Sequence, residues 1–335
     1  MLTTFLATLT PMATLFLCIA IGFIARKAKI LPENAGKVMA KLETWIFCPA
    51  LGFYTTAKSF TVSLLTEHAK NLTLSLIATA VSMGIAIFLA RFFVKERCPE
   101  RGVYEYALTF SNGGYVGDPL VLALFGTIGL GFYKIYYLPL SIVIYTWGIS
   151  VLVPGNTNRG GFFKKLCNAP TISILLGMLA GITGLGAVLL PGGETVNFFE
   201  STLNSLKSCM GPVAMLLCGF TVAGYNMKNM LLQKKVYIAT LLRLLVLPAI
   251  IISLVFCLKT AANSLFSLSI DNSVLFLTFF STATPLGMNT IVYPESYGGD
   301  PKTGASMALI SHTLCVVTIP LLYAVMVAIF GSPTF

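Results

Sequence analysis

Charge is scarce in this sequence. Of 335 residues only 10% are charged, against about 25% in a soluble domain. The 12 acids and 2 histidines leave little material for hydrolytic or metal chemistry. The eight cysteines are scattered without a C-x-x-C pair, which excludes a zinc ribbon or a disulfide framework and makes them read as small apolar residues. No H-E-x-x-H helix is present, so a membrane zinc protease is excluded. An intramembrane aspartyl enzyme needs paired aspartates with G-x-G-D, whereas Tyr297 stands before Gly298, Gly299 and Asp300. No basic residue precedes the first apolar stretch, and the first positive cluster, Arg26, Lys27 and Lys29, follows it. That order is wrong for a cleavable signal peptide. The chain is therefore not expected to be an enzyme, and neither a cofactor nor a metal is expected.

What the chain has in abundance is apolar length, with 56% hydrophobic residues. Stretches of about 20 such residues, enough to cross a hydrocarbon core of roughly 30 Å as a helix, recur from end to end. Ten are predicted: 5–25, 38–57, 72–93, 103–125 and 132–153, then 171–190, 203–225, 236–258, 273–293 and 305–330. With the N-terminus outside, seventeen of the 22 Lys and Arg residues fall on cytoplasmic segments. Lys58, Lys70, Lys134, Lys207 and Lys259 remain outside, a one-sided distribution that follows the positive-inside rule. The net charge of +10 is dispersed over short loops, so it reads as a topology signal and not as a nucleic-acid surface. The expectation is a multi-pass protein of the cell membrane with both termini outside.

The longest charged and glycine-rich connector, PGNTNRGGFFKK at 154–165, divides the chain into 1–153 and 166–335. Five spans per half force opposite orientations, the inverted-repeat plan of many secondary transporters. Pro49 and Pro212 are 163 residues apart, and Pro119 and Pro285 are 166 apart, near-equal offsets of the kind a duplicated unit leaves. The predicted fold class is thus an all-α integral membrane protein of ten helices in two inverted five-helix repeats.

The fourth and ninth spans are poor continuous helices. The fourth holds Ser111, Asn112, Gly113, Gly114, Gly117, Asp118 and Pro119 at its centre, and the ninth holds Ser281, Thr282, Thr284, Pro285, Gly287, Asn289 and Thr290. Proline removes an amide donor, and each glycine costs roughly 1 kcal/mol against alanine in a helix interior. Open backbone survives in a membrane only where protein or a water-filled cavity satisfies it, so the two breaks should face each other. Half-helix ends there present amides and carbonyls to a solute.

These stretches resemble the auxin efflux carrier family, whose bacterial members are organic-acid permeases. Asn112, Gly117, Pro119 and Leu120 are similar to the family's N-x4-G-x-P-L stretch. TPLGMNTIVYPESYGGD, with Pro285, Asn289, Glu295, Tyr297, Gly298, Gly299 and Asp300, is similar to its proline, polar run and A-E-x-Y-G-G-D ending. Weaker matches surround Pro49 and Pro320. The family is related to bile acid sodium symporters, and the resemblance implies ten helices, a scaffold with a moving transport domain, and crossed broken helices four and nine. Two positions depart from it: Asp118 stands where plant members have an apolar residue, and Pro294 replaces a common alanine.

The substrate site is expected at the breaks: Asn112, Gly113, Gly114, Gly117, Asp118, Pro119, Thr284, Pro285, Asn289 and Thr290. An asparagine amide offers donor and acceptor together, and so grips a carboxylate or hydroxyl without carrying charge. Asp118 is the one acid placed deep within a span. An ionised carboxylate there costs roughly 2.5 to 3.5 kcal/mol on insertion scales, so Asp118 is expected to couple transport to a proton or Na+, with His312 as a second candidate. Aspartate before an N1 proline also suits a helix cap. Glu43 and Glu105 read as surface or paired acids near Lys41 and Arg101. The expected partners are a small-molecule substrate, probed first among carboxylic acid anions, and the lipid bilayer, with no nucleic acid; a homodimer is left open. A channel is the rival class, since pores also use broken helices. Accessibility labelling of single cysteines should place positions near Lys95 and Lys164 in the cytoplasm and positions near Lys134 and Lys259 outside. Labelling of the Lys95 and Lys134 regions from the same side would break the topology.

Overall fold

The computed structural model describes residues 2–96, 98–152, 168–193, 197–297, 299 and 301–335. The expected connector 154–165, together with Gly298 and Asp300 of the second motif, lies outside the described residues. The described chain is helical, and its one β feature is an isolated antiparallel bridge between Ser111 and Leu286. Among the described residues, five helices are long and apolar enough to cross a bilayer: Ala69–Phe93, Ile128–Leu152, Phe198–Ala223, Lys234–Phe266 and Pro301–Phe330. Leu2–Lys27 adds a further helix of 26 residues. Ala169–Ile182 and Ser273–Thr282 are shorter apolar helices.

Three prolines shape the bundle in one way. The helix Ala35–Leu42 widens into a π turn at Glu43–Phe47 before Cys48–Ser59 resumes. The same happens at Gly113–Gly117 before Asp118 and at Leu242–Val246 before Leu247–Phe266. Each turn ends two residues before a proline, Pro49, Pro119 or Pro248. In each, the residue just ahead of the proline donates its N–H five residues back: Cys48 to Glu43, Asp118 to Gly113 and Leu247 to Leu242. Because proline has no N–H for the usual fourth carbonyl, widening the ladder by one residue costs little at that point. Pro212, predicted as the partner of Pro49, behaves differently and sits inside the uninterrupted helix Phe198–Ala223.

Small residues let helices approach closely, as expected where lipid removes the hydrophobic drive between helices. Leu2–Lys27 packs along Phe198–Ala223. A Cβ on Gly219 would lie 1.9 Å from the Ile19 carbonyl oxygen, and one on Gly22 would lie 2.1 Å from that of Leu216. The two glycines thus serve one contact from both sides. Ala169–Ile182 packs in the same intimate way along Cys48–Ser59. Gly219→Leu should force these backbones apart and lower the thermal midpoint of the purified protein, with the roughly 1 to 3 kcal/mol typical of overpacking. A leucine variant as stable as the parent would contradict this packing.

Candidate functional site

Both predicted breaks are present, and they meet. The first lies between Pro99–Thr109 and Asp118, the second between Ser273–Thr282 and Asn289–Tyr297. The Asn112 N–H donates to the Pro285 carbonyl at 2.8 Å, and the Ser111 hydroxyl donates to the Ser281 carbonyl at 2.5 Å. The Leu286 N–H donates to the Ser311 hydroxyl at 3.3 Å. Backbone groups stranded by one break are therefore satisfied by the other and by the final helix, which is what hydrocarbon surroundings require. Tyr133 and Tyr137 brace the crossing by donating to the carbonyls of Phe280 and Ser111. A Cβ on Gly113 would fall 2.4 Å from the Tyr137 ring, and one on Gly117 would fall 2.5 Å from the Tyr133 hydroxyl. These glycines are needed for close approach more than for an unusual backbone angle.

Beside the crossing lies a cavity of ≈ 80 Å³, room for several waters or a solute of a few heavy atoms, since one water needs about 10–15 Å³ by this measure. Among the expected residues, Asn112, Gly113, Gly114 and Asn289 line it. Gly117, Asp118, Pro119, Thr284, Pro285, Thr290 and His312 are not among the residues that line it. Thr290 donates to the Gly287 carbonyl at 3.1 Å, while the buried Thr284 hydroxyl has no partner among the described residues.

The two asparagines, 2% and 7% exposed, are held in place by different means. The Asn112 carbonyl oxygen accepts from the Tyr115 N–H at 3.3 Å, capping the π turn. Its amide nitrogen lies 3.1 Å from His312 Nε2. His312 Nδ1 lies 2.8 Å from the Ala308 carbonyl, which can only accept, so Nδ1 carries the proton and Nε2 accepts from Asn112. With both ring nitrogens engaged, His312 positions Asn112. The Asn289 amide donates to the Tyr106 hydroxyl at 2.8 Å. Each asparagine retains hydrogen-bonding capacity beyond these contacts.

Sequence reasoning missed much of the wall. Tyr106, Tyr115, Tyr137 and Tyr145 line the cavity together with Lys134. Polar aromatics recurring inside apolar runs, as in GFYKIYYLPL, were the available signal. Lys134, expected at the outer end of the fifth span, lies in the helix Ile128–Leu152, and its ammonium makes an unexpected pair with Asp118. The chain doubles back between the two at Gly126, whose φ of 67° lies in the left-handed region that glycine tolerates. Asp118 is therefore not a lone acid.

Other buried charges also differ from expectation. Glu43 is not at a surface beside Lys41; it is fully buried at the start of a π turn and faces the Tyr115 hydroxyl outside hydrogen-bonding geometry. Arg243 is buried in another π turn, with Nε and Nη2 unpartnered among the described residues. Glu105 is paired as expected, accepting from Arg101 at 2.9 Å. No group of three or more His, Cys, Asp or Glu residues with metal-ligating geometry occurs among the described residues. Tyr106→Phe should release the Asn289 amide and lower stability by roughly 0.5 to 1.5 kcal/mol, measurable as a fall in thermal midpoint; an unchanged midpoint would mean that the bond adds nothing.

Comparison with known proteins agrees with this architecture. The model of the membrane transport protein family matches residues 7–323. An uncharacterized transporter from Methanocaldococcus jannaschii is 24% identical over 312 residues, covering 90% of this chain and 94% of that protein. A multi-pass helical protein with crossed breaks and a match along nearly its whole length belongs to the membrane transport protein family, the auxin efflux carrier family that its motifs resemble.

Proposed function

We propose that this transporter is a secondary carrier that moves a small carboxylic acid anion across the cell membrane by alternating access. The observation that carries the reading is the cavity at the crossing of the two breaks, with Asn112, Asn289 and Lys134 in its wall. The amides grip oxygen atoms of the solute, while the lysine favours a negative charge. Ten crossings in two inverted halves, 1–153 and 166–335, with both termini outside, complete the proposal. Helix pairing supports the repeat: Leu2–Lys27 lies on Phe198–Ala223, and Ala169–Ile182 lies on Cys48–Ser59. These contacts exchange with each other when first and sixth spans, and second and seventh, are swapped by a two-fold axis in the membrane plane. Asp118 is the proposed coupling group, for a proton ahead of Na+, and His312 supports Asn112 beside it.

A bound solute stabilises the folded protein, so a thermal-shift screen against mono- and dicarboxylates, with and without sodium, tests the proposal. Asn112→Ala and Asn289→Ala should each remove most of the solute-induced shift while leaving a folded, inserted protein. The loss of one such bond weakens binding by roughly 0.5 to 1.5 kcal/mol, more where a partner is left unsatisfied. Unchanged affinity in both variants would move the site elsewhere. In reconstituted vesicles, flux that saturates with solute supports a carrier, whereas unitary conductance would make the protein a channel.

A further inference from the structure

The cations near the cavity are not equally compensated. Lys58 donates to Glu200 at 2.6 Å and sits over the Tyr54 ring. Lys207, from the helix Phe198–Ala223, lies 3.4 Å from the centroid of the same ring and close to Lys134, Lys58, Asp118 and Glu200, with no carboxylate bonded to it among the described residues. Lys134 pairs with Asp118 and lines the cavity, whereas Asp118 does not line it. One oxygen of Asp118, Oδ1, has no partner among the described residues. The groups facing Asp118 are Lys134, Tyr133 and Tyr137 from the following helix and Lys207 from across the bundle. Of the two partners, Lys134 is thus the one whose residue borders the cavity.

We propose that Lys134 is the direct ligand of the solute's carboxylate, and that Asp118 is the counter-ion the solute must replace. Resting on the carrier reading above, the inference names the group that recognises charge. While Asp118 is ionised, Lys134 is neutralised and an entering anion meets a carboxylate just behind it. A proton taken up by Asp118 cancels that negative charge. Lys134 keeps its own proton, turns its ammonium to the solute, and the ion pair is re-formed with the solute in place of Asp118. One proton and one monocarboxylate enter together, so the loaded site carries the same net charge as the empty one. Lys207, unmatched and adjacent, draws the anion toward the exchange. Proton and solute then favour each other's binding reciprocally, and couplings of this kind are typically about 5- to 150-fold.

Binding of acetate, lactate and succinate, with their neutral amides as controls, is measured by thermal shift on the intact protein at acidic and alkaline pH. The wild type should bind at least one acid about 5- to 150-fold more tightly at acidic pH and prefer it to the amide. Asp118→Asn, a mimic of the protonated state, should bind equally well at both pH values. Lys134→Gln should bind the anion at least about tenfold more weakly, a loss that Lys134→Arg largely restores. A wild-type pH profile in Asp118→Asn, or undiminished anion binding in Lys134→Gln, would overturn the inference. Amides that bind as well as the acids would also overturn it while leaving the carrier reading intact. If no acid or amide binds the wild type, the carboxylate reading falls along with it. Should either variant fail to fold, infrared difference spectra of wild-type protein carrying isotope-labelled aspartate decide the question: adding the acid near the midpoint of the binding profile should raise a protonated-aspartate band, and no rise refutes the exchange.

Discussion

The rest of the structure depends on one constraint: an open backbone group in hydrocarbon has nothing to bond except protein. Each break strands amides and carbonyls that neither could satisfy alone. The Asn112 N–H reaching the Pro285 carbonyl, and the single bridge between Ser111 and Leu286, show the two interruptions serving as each other's solvent. Once the strands must cross, a cavity beside them follows, because four half-helices converging on one point cannot also fill the space where their axes diverge. Tyrosines complete the wall because they combine the bulk to pack with a hydroxyl that caps a stray carbonyl.

The sequence made the breaks legible, since Gly113, Gly114, Gly117 and Pro119 in one apolar run, and Pro285 and Gly287 in another, contradict a helix by local chemistry alone. It was also enough to mark Asn112 and Asn289, which line the same cavity. The pairing of Lys134 with Asp118 was not legible. It depends on the direction the chain takes at Gly126, a single backbone angle on which hydropathy is silent. A lysine two residues into an apolar run looks like a snorkelling end residue, and only the doubling back turns it inward. Glu43 was misjudged for a related reason: nearness to the end of a run says nothing about which face a residue occupies.

Two buried charges that hydropathy did not place, Glu43 and Arg243, lie in π turns, and the asparagine of the first break caps another. Glu43 opens Glu43–Phe47, Arg243 is the second residue of Leu242–Val246, and Asn112 caps Gly113–Gly117; a fourth π turn, Ile144–Gly148, carries no charge. A π turn holds one residue more than the helix around it and commonly marks functional positions. The coincidence links the prolines to the polar interior through the backbone, without direct contact between side chains.

The π turns also fix azimuth. An α-helix advances about 100° per residue, since 3.6 residues make a turn, so an extra residue rotates everything upstream of it by that angle relative to everything downstream. Pro49, Pro119 and Pro248 work as angular set-points: with a donor restored at any of them, the helix would be free to rewind by one residue. At Pro49 and Pro248 such rewinding would swing Glu43 and Arg243 a quarter-turn or more from the positions they now hold, toward neighbouring helices or lipid. Three imino acids that carry no polar hydrogen of their own thereby decide which way the most costly side chains of the bundle point.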